Sequence, residues 1–257
     1  MCTVTIHRDG SGVAATMNRD EALIRAPEQR PQIVDAGPGV HWIAPRDGER
    51  GGTWMGVNTH GVVACLLNAY RPGESLLPDT SGRYRTRGEI VAGLLSAGEP
   101  ADVRRWLDQS LDPSAYPSFT LIVADPDETV SYEWLGTDPI NVEILPDRWV
   151  LRSSSGWDSE DVRRWREQRF SAWRAAGEPR HGTLPTFHLL QEAGHEERSP
   201  LMRRAWSATR SITQARILPD AGRVELKYWF EPTPESREAT THTSLRTVGL
   251  KELSRAQ

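Results

Sequence analysis

Apolar and polar positions alternate from the first residues of the chain. Residues 2–7 (CTVTIH) and 13–18 (VAATMN) each suit a short strand, and Asp9-Gly10-Ser11-Gly12 between them carries turn chemistry, so the chain is expected to open with a β-hairpin. Antiparallel pairing about that turn brings Cys2 close to Asn18, Arg19 and Asp20. Residues 26–50 are rich in Pro, Gly and charge and read as loop with short strands. GGTWMGVN and GVVACLLN form another hairpin, turning near Asn58 to Gly61, and a polar stretch from Arg71 to Tyr84 follows.

Beyond it, the apolar spacing predicts helices over about 87–97 and 100–110, strands at FTLIVAD and TVSYEW, and another strand pair around 140–152. A longer helix over about 158–176 places Val162, Trp165, Arg169, Ala172 and Trp173 on one face, where Arg169 would have to snorkel towards water. A shorter helix is expected over 185–193, and the last strands near 210–217 and 223–230. Strands outnumber helices and come in hairpins, which predicts an α+β fold with largely antiparallel sheets. With no repeat, low-complexity segment or linker, residues 1–257 read as one domain.

The 257 residues are 37% hydrophobic and 26% charged, enough to bury a sizeable core. A formal net charge of −4 supplies no positive field for nucleic acid. The run Arg163, Arg164, Arg166 and Arg169, beside Glu160, Asp161 and Glu167, reads as a solvated helix face. No stretch approaches the roughly 20 consecutive apolar residues of a membrane helix, and Thr5, His7, Arg8 and Asp9 interrupt any secretory pattern, so a cytoplasmic location without membrane insertion is expected. Cys2 and Cys65 are too few for a disulfide framework, and a reducing compartment keeps both as thiols.

Position 2 offers particular chemistry. Removal of an initiator Met is favoured before a small residue, and the mature chain would then carry a free α-amine and a thiol on Cys2. The amine titrates at about 7.7–8.0 and the thiol near ~8.5, so one residue supplies both base and nucleophile. Attack on an acyl carbonyl further needs oxyanion donors, a carboxylate to hold the amine and a polar or cationic group to help the thiol. Asn18, Arg19, Asp20 and Asn68 are of those types.

Met-Cys at the start, Asn18-Arg19-Asp20-Glu21 with Arg25 and Pro27, Gly51-Gly52-Thr53-Trp54-Met55-Gly56, and Thr86-Arg87-Gly88-Glu89 resemble the successive motifs of the NRDE family, also called the transport and Golgi organization family. The likeness runs to about residue 217. That family resembles N-terminal nucleophile hydrolases, and the chain is distantly similar to bile salt hydrolases and penicillin V acylases. The resemblance implies a four-layer αββα fold with two stacked antiparallel sheets. It implies Cys2 as nucleophile, Asp20 as the carboxylate holding the terminal amine, and Asn68 as an oxyanion-hole donor. Where the acylases place an Arg directly before Asn-x-Asp this chain has Met17, its Arg being Arg19, and Ser153 takes the position of their second Asn. A downstream Arg beside the thiol corresponds to Arg203 or Arg204, with Arg203 assigned to ligand binding.

Seven histidines show no helical metal-site spacing and read as surface or turn residues, with His60 exposed in its turn; no metal and no cofactor are expected. Most of the ten Trp residues, including Trp54, Trp134, Trp165 and Trp173, read as packing, with Trp54 also a candidate to line a ligand pocket. Gly51, Gly52 and Gly56 lack the Lys-Ser/Thr of a phosphate loop and imply a bulge or close backbone approach. Cys65 reads as inert core.

The expected function is a cysteine N-terminal nucleophile amidohydrolase, or an acyltransferase if the acceptor is not water, acting on a small amide or acyl substrate. The rival reading, also implied by the family, is a non-enzymatic carrier of haem or lipid, with Cys2 or a His touching the haem iron. A purely structural, partner-binding domain is the third.

Overall fold

The computed structural model describes residues 2–70, 82–137, 139–156, 158–177 and 182–248. Met1, His181 and most of the polar stretch 71–84 lie outside the described residues. The opening hairpin forms as the pattern predicts, with β1 (Cys2–Asp9) pairing antiparallel to β2 (Gly12–Ala22) from Cys2↔Arg19 to Asp9↔Gly12. Its turn is closed by the Ser11 N–H donating to Asp9 Oδ1 at 2.8 Å. Gly12 adopts φ 121°, and a Cβ there would fall 2.1 Å from the Ile217 carbonyl oxygen, so the position admits only glycine.

Two antiparallel sheets build the centre of the molecule. The first runs β10 (Trp149–Ser154), β1, β2, β11 (Ser207–Leu218), β12 (Arg223–Phe230) and β13 (Thr241–Arg246). The second runs β3 (Gln29–Asp35), β4 (His41–Arg46), β5 (Met55–Asn58), β6 (Val63–Asn68), β7 (Phe119–Ala124), β8 (Thr129–Trp134) and β9 (Asn141–Ile144). Cys2, Val4, Ile6, Val13, Ala15 and Met17 of the first sheet share one core with Ile43, Met55, Val57, Val63, Cys65 and Leu67 of the second. Period-2 alternation sends the intervening residues to the outer faces. Ala64, Leu66, Phe119 and Leu121 pack under α1 (Gly88–Ser96) and α2 (Pro100–Gln109), while Trp149 packs with Phe170 of α3 (Ser159–Ala175) and Phe187. The order of layers is therefore helix, sheet, sheet, helix, as the resemblance implies. No helix among the described residues is long and apolar enough to cross a membrane.

Three local expectations are corrected. The strand pair around 140–152 is no hairpin, because β9 edges the second sheet and β10 the first, so the chain crosses between sheets there. The segment 185–193 forms only a 3-10 turn, Thr186–Leu189, after Pro185, its Phe187 and His188 being held by side-chain contacts rather than by a helix ladder. β13 follows the last predicted strand, pairing with β12.

The glycine expectation holds at Gly52 and Gly56. A Cβ on Gly52 would lie 2.8 Å from the Gly88 Cα, and one on Gly56 would lie 2.8 Å from the Ile43 carbonyl oxygen. Two of the sequence motifs thus touch backbone to backbone, with the Thr53 N–H donating to the Gly88 carbonyl at 3.2 Å. Gly52→Ala must displace the start of α1 and is expected to cost about 1–3 kcal/mol in urea unfolding, as overpacking at a rigid contact does.

Candidate active site

Cys2 opens β1 with a neighbour on either side, opposite Arg19 of β2 and Ser154 of β10. It is buried, its side chain turned into the inter-sheet core. Burial pushes its thiol pKa up, the positive amino terminus and the Arg19 guanidinium pull it down, and the Asp20 backbone N–H donates to the sulfur. Cys65, in the same core, is also pushed up by burial and is inert packing.

Arg19 lies on the Cys2 face. Its guanidinium is engaged by Glu28 at 3.3 Å, Glu21 at 3.2 Å and Asp47 at 3.1 Å, and it sits 4.4 Å from the centroid of the Trp54 ring. Glu28, its side chain fully buried, also accepts from the Tyr228 hydroxyl at 3.1 Å. Arg19 therefore clamps β2 to the segments around Glu28 and Asp47 and lends the thiol charge from a distance. The Trp54 Nε1 is buried with no hydrogen-bond partner among the described residues.

Asp20 faces the other way, into the layer beneath α3. It pairs with Thr209 across β11, beside a bulge at which the register moves from Thr209↔Asp20 to Ser211↔Arg19. Thr209 Oγ1 donates to Asp20 Oδ1 at 2.6 Å, and the Arg166 guanidinium lies 3.5 Å from Oδ2. Burial pushes the Asp20 carboxyl up, against the pull of Arg166, the positive amino terminus and Thr209. Arg166 is fully buried and also donates to Thr3 Oγ1 at 2.6 Å and to the Arg198 and Ser199 carbonyls at 3.0 Å each.

This corrects the reading of the 163–169 run as a solvated face. Arg163, Arg164 and Arg169 have exposed or half-exposed side chains, whereas Arg166 lies four residues after Val162 and four before Phe170, inside the buried stripe. That position was the available signal.

Asn18 is also corrected. The same alternation that turns Arg19 towards Cys2 turns Asn18 away, and its amide donates to the His188 carbonyl at 2.9 Å and the Pro200 carbonyl at 2.8 Å. Its Oδ1 is then the acceptor for His188 Nδ1–H at 2.5 Å, which leaves His188 Nε2 to accept from the Thr5 hydroxyl at 2.7 Å. Burial and the neighbouring Arg166 hold His188 neutral, its pKa brought down to about 3. The surface expectation for histidines therefore fails at His188 and at His7, which is buried and stacked on Trp149. His60 is only half-exposed.

The remaining candidates divide. Asn68 ends β6 one residue past Leu67, and its amide donates to the Tyr70 hydroxyl at 3.2 Å rather than to the thiol. Ser153 pairs with Thr3 and Ser154 with Cys2, so of the two it is Ser154 that shares the Cys2 face, and its Oγ is buried with no hydrogen-bond partner among the described residues. Arg203 is exposed, while Arg204 is buried within electrostatic reach of Asp20, Arg166 and Tyr70. Of the two arginines that the resemblance offers, Arg204 is therefore the one near Asp20. A cleft of about 300 Å³ opens between the sheets here, with Leu67, Thr120 and Glu133 on one side, Ser153 and Ser154 on the other, and Arg163 and Glu167 of α3 at its border.

Two outcomes follow from the buried polar layer. Arg166→Met strands the Asp20 carboxylate and is expected to cost about 3–5 kcal/mol in urea unfolding, part of it restored by adding Asp20→Asn. For His188 the unfolded chain binds a proton below pH 6.5 that the folded chain excludes down to about pH 3. Stability is thus complete above 6.5 and is lost as pH falls through that window, by up to about 1.4 kcal/mol per pH unit from this residue. His188→Gln is expected to flatten the pH slope between those limits relative to the unsubstituted chain.

Comparison with known proteins agrees with the fold and the motifs. The family model described as Transport and Golgi organisation 2 matches residues 1–200. The Transport and Golgi organization protein 2 homologs of Homo sapiens and Bos taurus are 35% and 36% identical over 80 residues, 31% of this chain and 26% of theirs, so the match spans about a quarter of these curated relatives. Among solved structures, the Caenorhabditis elegans ortholog of N-acylethanolamine-hydrolyzing acid amidase superposes with a TM-score of 0.60 at 12% identity, covering 95% of this chain and 100% of that one. A variant of conjugated bile acid hydrolase from Clostridium perfringens superposes with a TM-score of 0.51 at 9% identity, covering 96% and 92%. At such identities the likeness is one of fold, and that fold is compatible with amide hydrolysis. The family model spans most of the chain, including the NRDE tetrapeptide and both glycine motifs, and the chain belongs to the Transport and Golgi organisation 2 family.

Proposed function

We propose that the chain is a cysteine N-terminal nucleophile amidohydrolase, active once Met1 has been removed. The observation that carries the proposal is the setting of Cys2 at the head of β1, its sulfur accepting from the Asp20 N–H while the Asp20 side chain, on the other face of β2, is held by Arg166 and Thr209 within electrostatic reach of the amino terminus. A neutral α-amine on Cys2 would take the thiol proton, and the thiolate would attack the amide carbon to give a tetrahedral oxyanion. Collapse breaks the C–N bond, the ammonium returns its proton to the leaving amine, and a thioester remains. Water attacks the thioester with the α-amine again as base, releasing the acid and restoring the thiol. Asp20 would orient and stabilise the ammonium, a role its buried, hydrogen-bonded carboxylate suits.

The Ser154 hydroxyl, without a hydrogen-bond partner among the described residues, and the Asn68 amide, once it leaves Tyr70, would be the side-chain donors to the oxyanion. Support also comes from the names of the two fold neighbours, one an acid amidase and the other a conjugated bile acid hydrolase. The polar lining of the cleft favours a polar acyl amide over a haem or lipid cargo. Intact mass is expected to show loss of Met1, and an activated acyl ester is expected to label Cys2 alone. Cys2→Ala, and a chain bearing extra residues before Cys2, are each expected to lose at least about a thousandfold in turnover of acyl anilides. Undiminished turnover in both overturns the proposal.

A further inference from the structure

The cleft bordered by Ser154, the register partner of Cys2, has an uneven charge balance. Its lining holds three carboxylates, Glu133, Glu143 and Glu167, against two guanidiniums, Arg152 and Arg163. Arg152 donates to Glu143 at 2.8 Å, a pair that ties β10 to β9 across the space between the sheets. Arg163 lies 3.8 Å from Glu167, one turn along α3. Glu133 has no ion-pair or hydrogen-bond partner among the described residues, and one net negative charge is left on it.

The register fixes where that carboxylate stands. Leu67, Thr120, Glu133 and Asn141 are successive cross-strand partners on β6, β7, β8 and β9, and Leu67 belongs to the core that contains Cys2. Their shared face is the inter-sheet one, because the next row, Cys65, Ile122 and Ser131, carries core side chains. At about 4.8 Å per strand, Glu133 stands about 10 Å across the sheet from Leu67. The path between them is polar, through Thr120, and its opposite wall is Ser154, the register partner of Cys2.

We infer that the substrate's acyl group is short, polar and cationic, with an ammonium placed on Glu133 when the scissile carbonyl is at Cys2. This rests on the amidohydrolase reading and narrows its substrate class. A six-carbon amino-acyl chain, met from the far end by the Glu133 side chain, spans the row, and its ammonium reaches a carboxylate that no guanidinium among the described residues occupies. A wholly apolar acyl chain would bury Glu133, Thr120 and Ser131 without hydrogen-bond partners, a loss the floor of this cleft is built to penalise.

The test compares aminohexanoyl, hexanoyl and carboxypentanoyl nitroanilides on the full chain after Met1 removal. The aminohexanoyl compound is expected to lead the hexanoyl one by about tenfold in kcat/KM, mostly through KM. That ratio falls towards unity in Glu133→Gln, and Glu133→Lys shifts preference towards the carboxypentanoyl compound. Each ratio is taken within one preparation, so partial unfolding cancels. Equal or better turnover of the neutral or anionic anilide overturns the inference and leaves the amidohydrolase reading intact. Should no anilide turn over, calorimetry of the Cys2→Ala chain with aminohexanamide and hexanamide decides the matter. Selective, Glu133-dependent binding of the cation sustains the site while the hydrolase reading fails, and unselective binding or none overturns both.

Discussion

A guanidinium with no exposure to water, that of Arg166, holds the outer layer of this molecule to the hairpin that carries Cys2. Removing such a charge from water costs several kcal/mol, and a single carboxylate at 3.5 Å does not repay it. The structure spreads the compensation over the Thr3 hydroxyl, two carbonyls at Arg198 and Ser199, and Asp20, which is itself held by Thr209. Each of these groups comes from a different stretch of the chain: α3, β1, β2, the 198–200 segment and β11. The arrangement has little value until all are in place, so the geometry of Asp20 depends on tertiary structure completed far along the sequence.

The four residues Asn18-Arg19-Asp20-Glu21 gain their meaning from the pleat. Arg19 and Glu21 turn to the inter-sheet side, where they meet each other, Asp47 and Trp54. Asn18 and Asp20 turn to the α3 side, where they fix His188 and Arg166. A motif of alternating polar residues on a strand buried on both faces thus serves two separate networks, and Cys2, across from Arg19, stands where they meet. Substituting one member disturbs one face first.

The hairpin and its register were legible in the sequence because a turn of Asp, Gly, Ser and Gly lies between two alternating runs, and Cys2↔Arg19 follows by counting outwards. Direction was not legible. Both faces of β1 and β2 are buried, so hydropathy does not distinguish them, and the hairpin alone groups Asn18 with the thiol although its side chain points to the other layer. The same parity separates Ser153 from Ser154. Arg166 was hidden by composition, since a run of arginines and glutamates looks solvated until each is placed on the helix. β13 (THTSLR) was missed because only alternate positions of it are even half-buried, leaving no apolar run to mark it.

The burial of Cys2 bears directly on how such a thiol could react. Pushed up by burial, it is protonated at neutral pH, and a nucleophile that relied on a standing thiolate would be poorly served there. In the proposed reaction no standing thiolate is needed, because the α-amine is attached to the same residue and takes the proton only as attack begins. The transfer converts a neutral pair into a thiolate and ammonium pair of zero net charge, a far smaller desolvation problem than a lone anion in the same core. Asp20 is already held by Arg166 and Thr209, so in that reaction the ammonium would form near a preorganised acid group without reorganising water. An amide-linked Met1 would remove the acceptor for the thiol proton while leaving the sulfur equally buried. In the proposed mechanism, then, the reactivity of Cys2 would be set less by the thiol's own acidity than by whether its backbone nitrogen is free.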